Sequence, residues 1–238
     1  MSARGLFITG TDTGVGKTVV TAAILSYLRH RGYNTGVMKP IETGVDAECS
    51  SAANSDALFL MECGGIEDEL SEVCPVRLKP AASPYQAARI ENRTIEPESL
   101  LAAYRKLAGK YDWMLVEGVG GVRVPITRET GVLELMREVG LPALVVSRYQ
   151  LGTLNHTLMT LEVLKQNHIP VMGVVFNQTG PEETDAIERE APRLIEELAG
   201  VKVLGEMPFI NPINAQSFSP EMLKRLAAKV DFPGLTLI

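Results

Sequence analysis

Six short apolar runs punctuate the chain: GLFIT at 5–9, TGVM at 35–38, DWMLVEG at 112–118, PALVVS at 142–147, PVMGVVFN at 170–177 and VKVLGEMP at 201–208. They are near-continuous in Val, Ile, Leu and Met rather than alternating with polar residues, the pattern of strands buried on both faces. Stretches with helical spacing separate most of them. KTVVTAAILSYLRHRG sets Val20, Ala23, Ile24 and Leu28 on one face and runs out at Gly32, a helix stop. GTLNHTLMTLEVLKQNH repeats the spacing with Leu154, Leu158, Leu161 and Leu164 before Pro170. Strand runs alternating with helices predict an α/β fold, a mostly parallel sheet flanked by helices. Residues 43–78 break the rhythm with Gly, Ser, Asn and acidic residues, and predict a loop-rich insertion over one edge of the sheet. Near the C-terminus, Ser219 as N-cap and Pro220 at the first helical position open an amphipathic helix with Leu223, Leu226, Ala227 and Val230 on one face.

Composition narrows the picture. At 238 residues, with 45% hydrophobic and 22% charged residues, the chain suits an ordinary soluble domain. No internal repeat or linker divides it, so residues 1–238 are expected to form a single domain. A net charge of −6 argues against a nucleic-acid partner. The first residues lack the apolar length of a signal peptide and no run approaches a membrane span, which predicts a cytoplasmic protein without a membrane partner. Cys49, Cys63 and Cys74 are odd in number and widely spaced, as reduced structural thiols are, and His30, His156 and His168 lack the spacing of metal ligands.

The first strand is followed by TDTGVGKT and then a helix. Strand, glycine-containing loop and helix start, in that order, make the physical arrangement of a P-loop. Main-chain N–H groups at a helix N-terminus have no intrahelical partner and carry partial positive charge, so they bind phosphate. Lys17 would reach the β- and γ-phosphates and the Thr18 hydroxyl would ligate Mg²⁺. The strict pattern places glycine at position 11, where this chain has Thr11, with Gly10 one step early.

Three further positions draw attention by where they fall. Glu117 ends an apolar run and precedes a glycine-rich turn, so it faces the crevice beyond the strand ends that the P-loop also faces. Taken alone it is a strand-capping acid. Lys39 follows the second strand and stands before Pro40, pointing towards the same crevice; taken alone it is a solvated surface lysine. Asp56 begins a helical run in NSDAL, where Asn54 or Ser55 serves as the helix cap.

The motifs GTDTGVGKT, KPIETG, NSD, LVEGVGG, LGTLNHT and GEMP, in this order over nearly the whole chain, closely resemble the dethiobiotin synthetase family of the P-loop superfamily. Thr11 agrees with that family's own version of the loop. The resemblance implies ATP and Mg²⁺ as cofactors and the carboxylation of 7,8-diaminopelargonic acid by CO₂ or bicarbonate, with ring closure to dethiobiotin and release of ADP and phosphate. It implies that Gly14, Val15, Gly16, Lys17, Thr18 and Val19 bind the triphosphate, that Thr18, Asp56 and Glu117 hold Mg²⁺, and that Gly118, Val119 and Gly120 line the nucleotide site. Lys17 and Lys39 would neutralise charge on the transferred group, with Thr11 beside them as catalytic residues. Asn177 and Gln178, with Pro208, Phe209 and Ile210, match the adenine-holding part, and FINPINAQ departs from the familiar forms there. Thr43 matches a substrate contact. Gly152, Thr153, Leu154 and Asn155 match the helix start that receives the substrate carboxylate from a neighbouring subunit, which implies a homodimer.

The alternative is a P-loop partitioning or positioning ATPase of the same superfamily. Its loop carries a signature lysine where this chain has Asp12, and some such switches use a terminal amphipathic helix for membrane contact. A core-packing helix explains residues 219–230 equally well. An amidotransferase-coupled synthetase would need a further glutaminase domain, for which the chain is too short.

Overall fold

The computed structural model describes residues 4–46, 48–181, 185, 187–211 and 213–231, so the termini of the expected 1–238 domain lie outside the described residues. In chain order the elements are β1 (Arg4–Gly10), α1 (Lys17–His30), β2 (Thr35–Met38), β3 (Ile41–Thr43), α2 (Asp56–Gly64), α3 (Leu70–Val73), β4 (Val76–Leu78), α4 (Pro84–Ile90), α5 (Pro97–Ala108), β5 (Trp113–Gly121), α6 (Val132–Val139), β6 (Ala143–Arg148), α7 (Thr153–Gln166), β7 (Val171–Asn177), α8 (Ala191–Ala199), β8 (Val203–Met207) and α9 (Pro220–Ala227).

All six apolar runs form the main sheet, in the order β2-β5-β1-β6-β7-β8, and every pairing in it is parallel. Their lack of polar alternation is explained by helices on both faces. Phe7, Met114, Val116 and Val145 pack with Leu107 of α5, Met136 of α6, Leu164 of α7 and Ile195 of α8. Their neighbours Leu6, Ile8, Leu115 and Val146 pack on the other side with Ile24 of α1, Leu60 of α2 and Leu223 of α9. Each such side chain stabilises the fold by about 1.5–3 kcal/mol on burial. Strand order switches sides at β1, since α1 leads out to β2 on one side while β6 lies on the other, and a ligand crevice belongs at the carboxyl ends of strands at such a switch.

Helix α1 buries Val20, Ala23, Ile24 and Leu28 as expected. It closes where Tyr33 N–H donates to Leu28 O and Gly32 takes φ +85°. Helix α7 differs in detail. Its innermost stripe is Thr153, Thr157, Thr160, Leu161 and Leu164, while Leu154 and Leu158 are half-buried. The hydroxyls are accommodated because Ser147 on β6 bonds Thr153 at 2.8 Å and Thr157 at 2.9 Å.

The 43–78 stretch is more ordered than expected. It carries α2, α3 and β4, and α2 packs on α1 through the apolar layer that holds Phe59 and Leu60. Its elements are short, and β3 and β4 are three-residue strands paired with each other, so neither periodicity nor length marked them in the sequence. Helix α9 begins as read, with Ser219 capping Met222 N–H, and buries Leu223 and Leu226 in the layer that holds α1. No helix among the described residues is long and apolar enough to cross a membrane.

Candidate active site

The loop leaving β1 is shaped by its glycines and by β7. Gly16 has φ +90°, and a Cβ there would lie 2.0 Å from Nδ2 of Asn177, so no other residue fits. Asn177 is buried and donates through Nδ2 to the carbonyl of Val15 at 3.0 Å, fastening the loop from behind. The first turn of α1 has no side-chain cap and no acidic residue, leaving its N–H groups to the crevice. Thr11 is half-buried and is anchored to β6 by its main-chain N–H on Val146 O at 3.0 Å.

Lys17, Thr18, Lys39, Asp56 and Glu117 are brought together from α1, α2, the residue after β2 and the middle of β5. The Lys39 ammonium donates to Glu117 Oε1 at 2.5 Å and to Asp56 Oδ2 at 2.8 Å. Thr18 Oγ1 donates to the same Glu117 oxygen at 2.8 Å. Burial alone would lower the Lys39 pKa, but Glu117 and Asp56 outweigh it and hold the ammonium charged well above the usual lysine range. Asp56 is opposed by burial too, yet Lys39 and Thr18 bring its carboxyl below the ordinary value. For Lys17, burial dominates and the charge of Lys39 adds to it, so its pKa falls to about 8. Its ammonium donates to the Asp12 carbonyl at 3.2 Å.

Glu117 Oε2 is buried and accepts no hydrogen bond among the described residues. An orphaned carboxylate oxygen beside a hydroxyl and a second carboxylate is a hard-donor set of the kind Mg²⁺ takes, so Thr18, Asp56 and Glu117 fit that ion. The turn after Glu117 also closes on the phosphate loop. Ile8 pairs with Glu117 but Gly10 pairs with Gly121, so β5 spends four residues where β1 spends two. Within this bulge Gly120 takes φ +60°, its Cβ position 3.5 Å from Thr13 Oγ1.

Glu42, which no spacing in the sequence singles out, belongs to this site as well. It is buried at 5% exposure, its Oε2 accepts the Ser55 hydroxyl at 2.8 Å and its Oε1 accepts the N–H of Asp56. Ser55 in turn caps Leu58 N–H, which resolves the choice between Asn54 and Ser55. Glu42 thus fixes the start of α2, and with it Asp56. Burial is also the largest influence on Glu42 itself and pushes its carboxyl above the usual range.

The other expected residues are arranged around this centre. Thr43 ends β3, half-buried, next to Glu42. Gly152, Thr153, Leu154 and Asn155 start α7 after the carboxyl end of β6, with Gly152 at φ +91° and Leu151 before them 96% exposed. No hydrogen bond among the described residues joins these four to Lys39, Asp56 or Glu117 in the same chain. Gln178 N–H donates to Met207 O, tying β7 to β8. Beyond β8, Pro208 and Phe209 are half-buried, whereas Ile210 packs in the apolar layer with Met207 and Phe218. Cys49, Cys63 and Cys74 are free, and burial pushes the Cys63 thiol up to about 12.

A family model described as an AAA domain matches residues 4–217. The protein named ATP-dependent dethiobiotin synthetase BioD from Thermodesulfovibrio yellowstonii is 40% identical over 227 residues, covering 92% of this chain and 95% of its own length. Its namesake from Anaeromyxobacter dehalogenans is 36% identical and covers 96% of this chain and 100% of its own. That from Methanococcus vannielii is 36% identical over 84% of this chain and 91% of its own. Among solved structures, the septum site-determining protein MinD of Pyrococcus horikoshii, complexed with Mg-ADP, superposes with a TM-score of 0.59 at 20% identity, over 98% of this chain and 94% of its own. A ParA family ATPase from Chlorobium tepidum TLS gives 0.56 at 16% identity, over 99% and 100%. At that identity the structural likeness bears on the fold, which is that of P-loop ATPases.

Proposed function

Because the chain belongs to the ATP-dependent dethiobiotin synthetase family, we propose that it joins CO₂ or bicarbonate to 7,8-diaminopelargonic acid and closes the cyclic urea of dethiobiotin, with ADP and phosphate released. It is an ATP-dependent ligase of biotin synthesis. In the chemistry of this reaction CO₂ and one amine form a carbamate, the γ-phosphoryl group activates it as a carbamic–phosphoric anhydride, and the second amine displaces phosphate.

The observation that carries the reading is the meeting of Lys17, Thr18, Lys39, Asp56 and Glu117 beside an uncapped helix start. The N–H groups of residues 14–19 and the Lys17 ammonium bind phosphate oxygens. Lys39, kept charged by two carboxylates, offers an ammonium to the anionic groups that meet there. Such catalysis is positioning and charge stabilisation. Thr18, Asp56 and Glu117 would hold Mg²⁺, which when bound neutralises phosphate charge. Asn177 links the expected adenine side to the loop through its bond to Val15. Thr11 remains with the catalytic group as a main-chain anchor of that loop.

For the diamine we assign Thr43 and, from a second subunit of a homodimer, Gly152, Thr153, Leu154 and Asn155. The helix start suits a carboxylate, and the exposed Leu151 beside it supports contact with a partner. We assign the activity to the cytoplasm, in keeping with the free cysteines. The partitioning-ATPase alternative shares the fold, but the burial of α9 removes its terminal-helix argument.

The test is to incubate the protein with 7,8-diaminopelargonate, bicarbonate and Mg-ATP and to follow the cyclic urea by mass spectrometry against a reaction lacking the diamine. Diamine-dependent product with matching ADP is the expected result. ATP hydrolysis indifferent to the diamine would overturn the assignment.

A further inference from the structure

Asp12, in the loop after β1, occupies three groups of the types that bind phosphate. Its Oδ1 accepts the Thr13 N–H at 2.7 Å, its Oδ2 accepts the Arg148 guanidinium at 3.2 Å, and its carbonyl accepts the Lys17 ammonium at 3.2 Å. A loop amide, an ammonium and a guanidinium are what a polyphosphate would engage here, while a carboxylate in the same place repels it.

Arg148 is placed to change partners. It ends β6 directly opposite Asn177 on β7, and both side chains turn towards the phosphate loop. Asn177 holds Val15, while Nη1 of Arg148 lies 3.8 Å from the position a Cβ would take on Gly14. The main chain of Arg148 is fixed, because the Thr153 hydroxyl donates to its carbonyl at 2.7 Å. Its guanidinium, by contrast, rests on an ion pair whose acid is 49% exposed, and such a pair is weakly held.

We propose that the Asp12 carboxylate is a built-in stand-in for phosphate, and that Arg148 is a ligand of the nucleotide's phosphate groups which leaves Asp12 for them on binding. The proposal rests on the reading that a nucleotide binds the loop after β1. It makes the two members of one ion pair act with opposite sign. Removing the guanidinium deletes a phosphate ligand, whereas neutralising Asp12 frees that ligand and lifts a repulsion.

Calorimetric titration of Mg-ATP and Mg-ADP into the full chain, with thermal unfolding as a check that each variant is folded, tests this. Arg148→Ala is expected to weaken nucleotide binding roughly 10- to 100-fold, and Arg148→Lys to recover part of it. Asp12→Asn is expected to tighten it by several-fold. If both substitutions weaken binding, the pair is a static clasp of the loop, and if neither alters it, the pair is surface decoration; each result overturns the proposal. Wild-type protein that binds no Mg-ATP, or a Lys17→Ala variant that binds it unchanged, would overturn the phosphate-loop reading and this proposal with it.

Discussion

Lys39 and Glu117 each follow one member of a registered pair, Met38 on β2 and Val116 on β5, and their side chains meet at 2.5 Å with almost no exposure to solvent. Parallel register thus delivers a buried ammonium and a buried carboxylate to one point beside the phosphate loop. Neither is stable there alone. An unpaired charge in such a place costs several kcal/mol, so the pair is both a structural unit and a source of fixed charge.

Replacing Lys39 by alanine strands the buried Glu117 carboxylate and should lower unfolding free energy by several kcal/mol, and in the folded variant turnover is expected to fall by on the order of 10²–10³ with nucleotide binding largely intact, since a donor to developing charge is gone. Steady-state rates with a parallel nucleotide titration check this. Unchanged turnover would dismiss a catalytic part for Lys39.

Glu117→Gln keeps the shape of the side chain but offers Mg²⁺ a neutral amide, a poorer ligand for a hard cation. The Mg²⁺ concentration needed for half-maximal rate should rise. A magnesium titration superimposable on that of the wild type would make Glu117 structural.

Glu42 is expected to act through Asp56. Glu42→Ala frees the first turn of α2, so the magnesium requirement should rise as it does for Asp56→Ala, with unfolding free energy reduced by roughly 1–3 kcal/mol. Glu42→Asp, too short to span the same two donors, should not restore the wild-type titration. A loss of stability with an unaltered magnesium requirement would confine Glu42 to capping.

Lys17 gives a pH dependence of definite sign. Its pKa in the folded protein is lowered to about 8 from 10.5, mainly by burial. The cost of burying the ammonium is therefore fully present below pH 8 and is relieved between pH 8 and 10.5, so this group's contribution to stability rises with pH across that window. Nucleotide affinity should run the other way, falling by up to about tenfold per pH unit above pH 8 as the ammonium is lost. Binding measured from pH 7 to 9.5 checks it, and Lys17→Arg should flatten the profile.

Gly16→Ala should prevent assembly of the phosphate site, because the new methyl group meets the Asn177 amide and the backbone is left-handed there. A destabilisation of roughly 2–4 kcal/mol and loss of nucleotide binding are expected.

The six main strands were readable because a buried parallel strand needs a continuous apolar run, Lys17 and Thr18 because a glycine-containing loop leads from a strand into a helix there, and Glu117 because it ends one of those apolar runs just before a glycine-rich turn. Residues acting across the chain left no such trace. Glu42 reads as one more acidic residue in an irregular stretch, and Arg148 as a surface arginine ending a strand. Their partners, Asp56 and Asp12, lie 14 and 136 residues away in sequence. The small strands β3 and β4 stayed hidden for a related reason: three residues are too few to show a period.

The bulge after Glu117 makes the acid and the wall of the proposed nucleotide crevice a single continuous piece of backbone. Anything that lengthens or shortens residues 118–120 by one position would shear the wall from the loop it leans on while the acid stays at its rung. Side chains are constrained there as well as length, because a Cβ at Gly118 would lie 2.9 Å from the Phe7 ring and one at Gly120, with its φ of +60°, 2.7 Å from Val124.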